Sequence, residues 1–244
     1  MVEPLIVKSW DEFFPQVKEA AKLLGNPACV WYRGQSNSDY SLLPSLYRTP
    51  RGPAVEQDVY MKFRDLAPRF LKEQSTEWNV LFDMQHYGVP TRLLDWTPVL
   101  GVAIFFALSY RSANDKDFSI YLLDPKGLNS MSGRPEIFSS KDPTFSYTSI
   151  YWKKQPFAPR HPIALESPFA NDRMYAQQGC FTVHCDSPDP LETQGGNHVV
   201  KLQVSRECIP NAQEFLDYAN INEVTMFPDI QGLTGYLRTF FFSR

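Results

Sequence analysis

The chain has 244 residues, 43% of them hydrophobic and 21% charged. That composition excludes a mainly disordered chain and a coiled coil, and the length is enough for one large domain or two small ones. Lysine and arginine number 24 against 27 acidic residues, a net charge of −3, so nonspecific binding to a phosphate backbone has no global counterion-release term behind it.

No uncharged apolar stretch reaches the ~18 residues of a membrane span. The best candidate, residues 96–110, fits a buried core helix instead. The first ten residues carry Glu3 and Lys8 and do not read as a secretory signal. Four cysteines (Cys29, Cys180, Cys185 and Cys208) are too few and too dispersed for a disulfide scaffold. They read as reduced thiols in a cytoplasmic protein that engages no membrane.

In chain order, Ser9 followed by Glu12 resembles a capping box opening an amphipathic helix that Gly25-Asn26-Pro27 stops. Residues 28–33 are β-prone. Residues 36–53 read as loop with one turn of helix, 54–74 and 76–87 as helices, the former interrupted at Pro68. Thr97 and Pro98 are placed to start a helix, threonine as N-cap and proline in the first turn. That helix is apolar on nearly every side, so it belongs at the centre of the fold. Strands are expected at 118–123, 163–166, 179–184 and 198–204, and helices at 211–219 and 229–242. Residues 127–162 are rich in proline, serine and aromatics and read as a long loop, the place to look for an active-site lid. These readings give one α+β domain over 1–244: a small mixed or antiparallel sheet, a buried central helix and surrounding helices.

Three polar clusters carry the chemistry. In the first, Trp31-Tyr32-Arg33-Gly34-Gln35, an arginine ends a short inner strand. Its guanidinium suits bidentate bonds to a phosphate or carboxylate, and Gly34 lets a ligand approach the backbone. Equally, Arg33 closes an internal salt bridge, for example with Asp95. The second cluster runs from Gln85 through His86, Thr91, Arg92 and Asp95 to Thr97, dense in hydrogen-bonding groups between two apolar helices. Such groups build a polar network or line a pocket. His86 reads as a general acid or base oriented by Asp95, or as a structural histidine. Arg92 and Asp95 are three apart, and simple pairing is the ordinary reading. In the third cluster, 171–181, a polar helical turn leads through Gly179 into a strand, and Gln177 or Gln178 reaches a ligand or caps backbone groups.

Cys180, His184 and Cys185 have a C-x3-H-C spacing, but on a strand Cys185 points away from the other two, and no second ligand pair has zinc-site spacing. No metal site is expected. Walker-type, G-x-G-x-x-G, H-E-x-x-H and G-x-S-x-G motifs are missing.

Together the clusters resemble the FRG domain family, named for a Phe/Tyr-Arg-Gly motif that stands here as Tyr32-Arg33-Gly34. The second block, Gln85 to Thr97, looks like the family's most specific stretch. Arg173 with Gln177, Gly179 and Phe181, and then residues 227–233, look like its later segments, so the resemblance spans about 25–240. It implies a bacterial or phage protein associated with toxin or anti-phage systems. The aromatic-Arg-Gly strand is also similar to the opening motif of ADP-ribosyltransferases, whose arginine holds NAD. That resemblance implies NAD as substrate, a protein or nucleic-acid acceptor, and Arg33 and Gln177 as catalytic residues; the polar clusters add His86 as a catalytic residue and Gly34, Gln35, Thr91, Arg92 and Asp95 as binding residues of the site. Departures from that pattern are the missing Ser-Thr-Ser segment, a middle block that reads as helix rather than strand, and no glutamate in the third block; Glu166 and Glu223 are the nearest. The alternative is a recognition module without turnover, in which Arg33, Arg48 and Arg92 contact phosphate and Trp31 and Tyr32 stack on bases.

Overall fold

A computed structural model describes residues 3–67, 76–109, 116–167 and 172–242. In chain order the elements are β1 (Leu5–Val7), α1 (Trp10–Leu23), β2 (Trp31–Gln35), α2 (Ser45–Arg48), α3 (Gly52–Leu66), α4 (Glu77–His86), β3 (Leu93–Trp96), α5 (Leu100–Leu108) and β4 (Phe118–Leu123). Then come α6 (Pro125–Ser130), β5 (Phe138–Ser139), a π-helical turn at Thr148–Trp152, β6 (Ile163–Glu166), α7 (Asp172–Gln177) and β7 (Cys180–Val183). The chain continues through α8 (Leu191–Gln194), β8 (Val199–Val204), α9 (Ile209–Tyr218), α10 (Glu223–Met226) and α11 (Ile230–Phe242).

The fold is α+β, with two four-stranded sheets where the sequence suggests one. The first has the order β1-β8-β4-β2, parallel only between β1 and β8. The second has the order β3-β7-β6-β5, parallel only between β5 and β6. They meet edge to edge through an antiparallel bridge between Tyr32 and Thr97.

Side chains alternate along a strand, and this sorts the sheets' faces into three cores. Phe118, Ile120 and Leu122 of β4 pack with α1, α5 and α9. Leu93, Phe181 and Val183 pack with α3, α4 and the aromatic side chains of 138–151. Trp31, Leu94, Trp96, Tyr121 and Leu123 fill the space between the sheets. The helix at 100–108 is central, as its apolar surface requires: Val102, Ala103, Ile104 and Ala107 are buried.

Several expectations are corrected. The middle polar block is a strand: Leu93–Trp96 pairs in register with Val183–Cys180. Thr97 does not cap the following helix, which begins at Leu100. Its backbone is held instead by the Tyr32 bridge, with N–H···O bonds of 2.7 and 3.0 Å, so the helix starts later. Ser9 forms no side-chain cap; Glu12 accepts from the Lys8 N–H at 2.9 Å instead. Residues 127–162 are no lid. They hold α6, β5 and the π-helical turn, and Phe138, Phe145, Tyr147, Ile150 and Tyr151 are buried in the second core. Two strands, β1 and β5, had no sequence signal. The end of the predicted 54–74 helix, residues 68–74, lies outside the described residues, as does Asn171. Among the described residues no helix is long and apolar enough to cross a membrane.

Candidate functional site

Where the inter-sheet core stops, a cavity of about 770 Å³ opens between the edges of the two sheets. That is the size of a cofactor or nucleotide pocket. On β2, Trp31, Arg33 and Gln35 share one face while Tyr32 and Gly34 share the other. Trp31 fills the inter-sheet core, and Arg33, one step further along the same face, reaches the cavity. Gly34 turns toward α5, where a Cβ would overlap the Ala103 carbonyl and lie 2.7 Å from the Ala107 nitrogen. Its lack of a side chain therefore lets a helix approach the strand. The expectation that it makes room for a ligand is corrected.

Arg33 donates through Nη1 to the Asp95 carbonyl oxygen at 2.6 Å and lies 3.7 Å from the Asp95 carboxylate. Its Nε is buried and has no acceptor among the described residues. Burial pulls the guanidinium below its ordinary value; Asp95 opposes this and nearby Arg48 adds to it. Gln35 donates to the Ser41 carbonyl at 3.2 Å, and its Oε1 is buried without a partner among the described residues. Arg48, exposed at the rim, bonds the Leu43 carbonyl.

Asp95 is 57% exposed and stands on β3 opposite Phe181. A short relay orients it. The Thr91 hydroxyl donates to Gln85 Oε1 at 2.6 Å, and Gln85 Nε2 donates to Asp95 Oδ2 at 2.9 Å. Asp95 thus serves Gln85 and Arg33 and makes no bond to His86. His86 lines the cavity with its ring edge-on to Tyr87. Burial and then Arg173 hold it below its usual value, against Asp83, Asp229 and Asp95.

The structure takes Thr91 and Arg92 out of the lining. Thr91 is buried and acts through Gln85. Arg92 is buried 3% exposed in the second core and holds Glu56 with both Nε and Nη2, while Nη1 bonds the His184 carbonyl at 2.9 Å. It neither pairs with Asp95 nor reaches a ligand. Trp31 is likewise buried and unable to stack on a base.

Gln177 ends α7 at the cavity wall. Its carbonyl accepts from the Thr97 hydroxyl at 2.8 Å, and its amide donates to the Met226 carbonyl at 3.0 Å. Gln178 adopts a left-handed backbone that turns the chain into β7. Arg173, one helical turn before Gln177, also lines the cavity. From the sequence, Arg48 is expected only as a phosphate contact of the recognition module, while Gln85 and Arg173 belong to the polar blocks without a site role of their own; the i, i+4 spacing of Arg173 and Gln177 is the signal that joins them. Among the described residues no cluster of His, Cys, Asp and Glu is arranged to hold a metal ion.

The result is a pocket whose wall carries Arg33, Arg48 and Arg173 around Asp95, with Phe82, Trp96 and Phe181 among its apolar lining. Fold and site define an α+β protein with a polar cavity at the junction of two sheets. The family model of the FRG domain matches residues 28–116. The match includes Tyr32-Arg33-Gly34 and the Gln85 to Thr97 block; the segments around Arg173 and Phe227 lie outside it. No curated protein and no solved structure matches the chain.

Proposed function

We propose that the cavity binds NAD and that the chain breaks its nicotinamide–ribose bond, as an ADP-ribosyltransferase or NAD glycohydrolase acting in toxin or anti-phage defence. One observation carries this reading: Arg33, the strand 93–96 and the segment ending at Gln177, far apart in sequence, converge on one cavity with the Asp95 carboxylate beside Arg33. Three guanidinium groups meet one unpaired-with-lysine carboxylate there, since Asp39, the other acid of the lining, bonds Lys116 at 2.6 Å. An excess of cationic donors in a concave site suits phosphate.

In this reading Arg33 holds a phosphate of NAD. The bond between ribose C1′ and the nicotinamide nitrogen breaks, and its electron pair leaves with the ring, which becomes neutral nicotinamide. Asp95 stabilises the positive charge that develops at C1′, as carboxylates do for oxocarbenium-like centres. Water, or a hydroxyl of a protein or nucleic-acid acceptor, then bonds to C1′ and gives up its proton to Asp95. Asp95 takes the charged role, because Gln177 carries none and its amide is engaged by Met226.

The test is nicotinamide release from NAD by the purified chain, with and without cell lysate, together with mass spectrometry of labelled acceptors. Arg33→Gln and Asp95→Asn should each lower release about 10²- to 10³-fold with unchanged melting. Nucleotide binding without release would support the recognition module instead. Absence of both would overturn the reading.

A further inference from the structure

Arg173 projects from α7, lines the cavity and lies 4.5 Å over the Phe227 ring. No carboxylate lies within ion-pair distance of it among the described residues. An aromatic face steadies a guanidinium without neutralising it, so the charge stays available to a ligand. Phe227 is itself fixed. It packs edge-on to Phe106, a cavity residue, at 6.1 Å, and against Phe105 at 6.0 Å. Behind it α11 closes on the Phe227 carbonyl at Gly232, where a Cβ would overlap that oxygen. The same segment takes the Gln177 amide on the Met226 carbonyl. The hairpin 223–242 therefore braces Arg173 and Gln177 of α7.

The cavity's charges fall into two groups. Arg33 and Arg48 come from β2 and α2, whereas Arg173 comes from α7, and all three line the cavity. One phosphate held at the Arg33 end leaves Arg173 without a counter-anion.

We propose that Arg173 forms a second anion subsite, held ready by Phe227, so that the cavity takes a ligand with two phosphate groups, one at Arg33 and Arg48 and the other at Arg173. This rests on the nucleotide reading above and adds which residue reads the second phosphate.

Calorimetric titration of the full chain with ADP, AMP and adenosine tests it. The wild type should bind ADP about tenfold or more tighter than AMP, the yield of one further charge-assisted contact. Arg173→Gln should abolish that preference while leaving AMP affinity unchanged. Arg33→Gln should weaken ADP and AMP together. Phe227→Leu, which keeps bulk but loses the aromatic face, should reduce the ADP preference, and Phe227→Tyr should preserve it. Melting curves establish that each variant is folded. Equal binding of ADP and AMP by the wild type, or equal weakening of both by Arg173→Gln, would overturn the second subsite and leave the nucleotide reading standing. No binding of any of the three would overturn both.

Discussion

Arg33 on β2 and Arg92 immediately before β3 lie in the same matched segment, each within reach of an acid, yet they do opposite work. Arg92 is sealed in the second core with Glu56, its Nη1 on the His184 carbonyl and its guanidinium 4.7 Å over the Tyr151 ring. Tyr147 donates to the same glutamate at 2.6 Å. Every charge there has its partner, and Glu56 and Tyr147 keep Arg92 protonated against the cost of burial. Arg33 has a looser arrangement: a 3.7 Å approach to a carboxylate that is more than half exposed, one carbonyl, and a spare Nε. The first arrangement specifies a core, whereas the second leaves hydrogen-bonding capacity for a ligand.

The largest expected effect breaks the closed arrangement. Arg92→Ala strands Glu56 without its counter-charge and should cost about 3–5 kcal/mol, enough to unfold many domains, as a denaturant titration would show. Survival of Arg92→Ala with little loss would mean that the two arginines are not so different.

Acidification attacks the same region through His184. Burial, with Arg92 nearby, pulls this imidazole down to about 3. The native state therefore stays neutral where the unfolded chain, with an ordinary histidine near 6.5, takes up a proton. Stability is complete above that value and declines as pH falls toward 3, by about 1.4 kcal/mol per pH unit. His184→Phe should flatten this part of a stability–pH curve. An unchanged slope would remove His184 as its source.

Gly34→Ala probes the strand–helix contact beneath Arg33. The added methyl meets the backbone of α5, which cannot yield as a flexible side chain would, and should cost about 1–3 kcal/mol. The smallest effect is Arg33→Gln, whose part-exposed pair with Asp95 is worth about 0–1 kcal/mol. Its melting temperature should barely move. A large drop would place Arg33 with Arg92 as a structural residue.

Much of this was legible in the chain. Strands at 118–123 and 163–166 have the predicted limits because each is a short apolar run between turn residues. The apolar surface of 100–108 announced a central helix. The strand at 93–96 was hidden because its four residues, Leu-Leu-Asp-Trp, face three environments: one core, the inter-sheet core and the cavity. No simple alternation survives that. The roles of Arg33 and Arg92 were equally hidden. Each is one arginine in a polar block, and only the tertiary arrangement brings Glu56, 36 residues upstream, to one and leaves the other with Asp95. Gly34 was noticed for the wrong reason, since sequence alone does not say which neighbour needs the space.

The position of the cavity on the seam between the sheets divides it along the chain. The FRG-matched residues supply Arg33, Arg48 and Asp95, while Arg173 and Gln177, and the Phe227 ring that supports Arg173, come from beyond residue 116. The two walls are thus separable along the chain: a substitution beyond residue 116 changes one wall without touching the residues of the other.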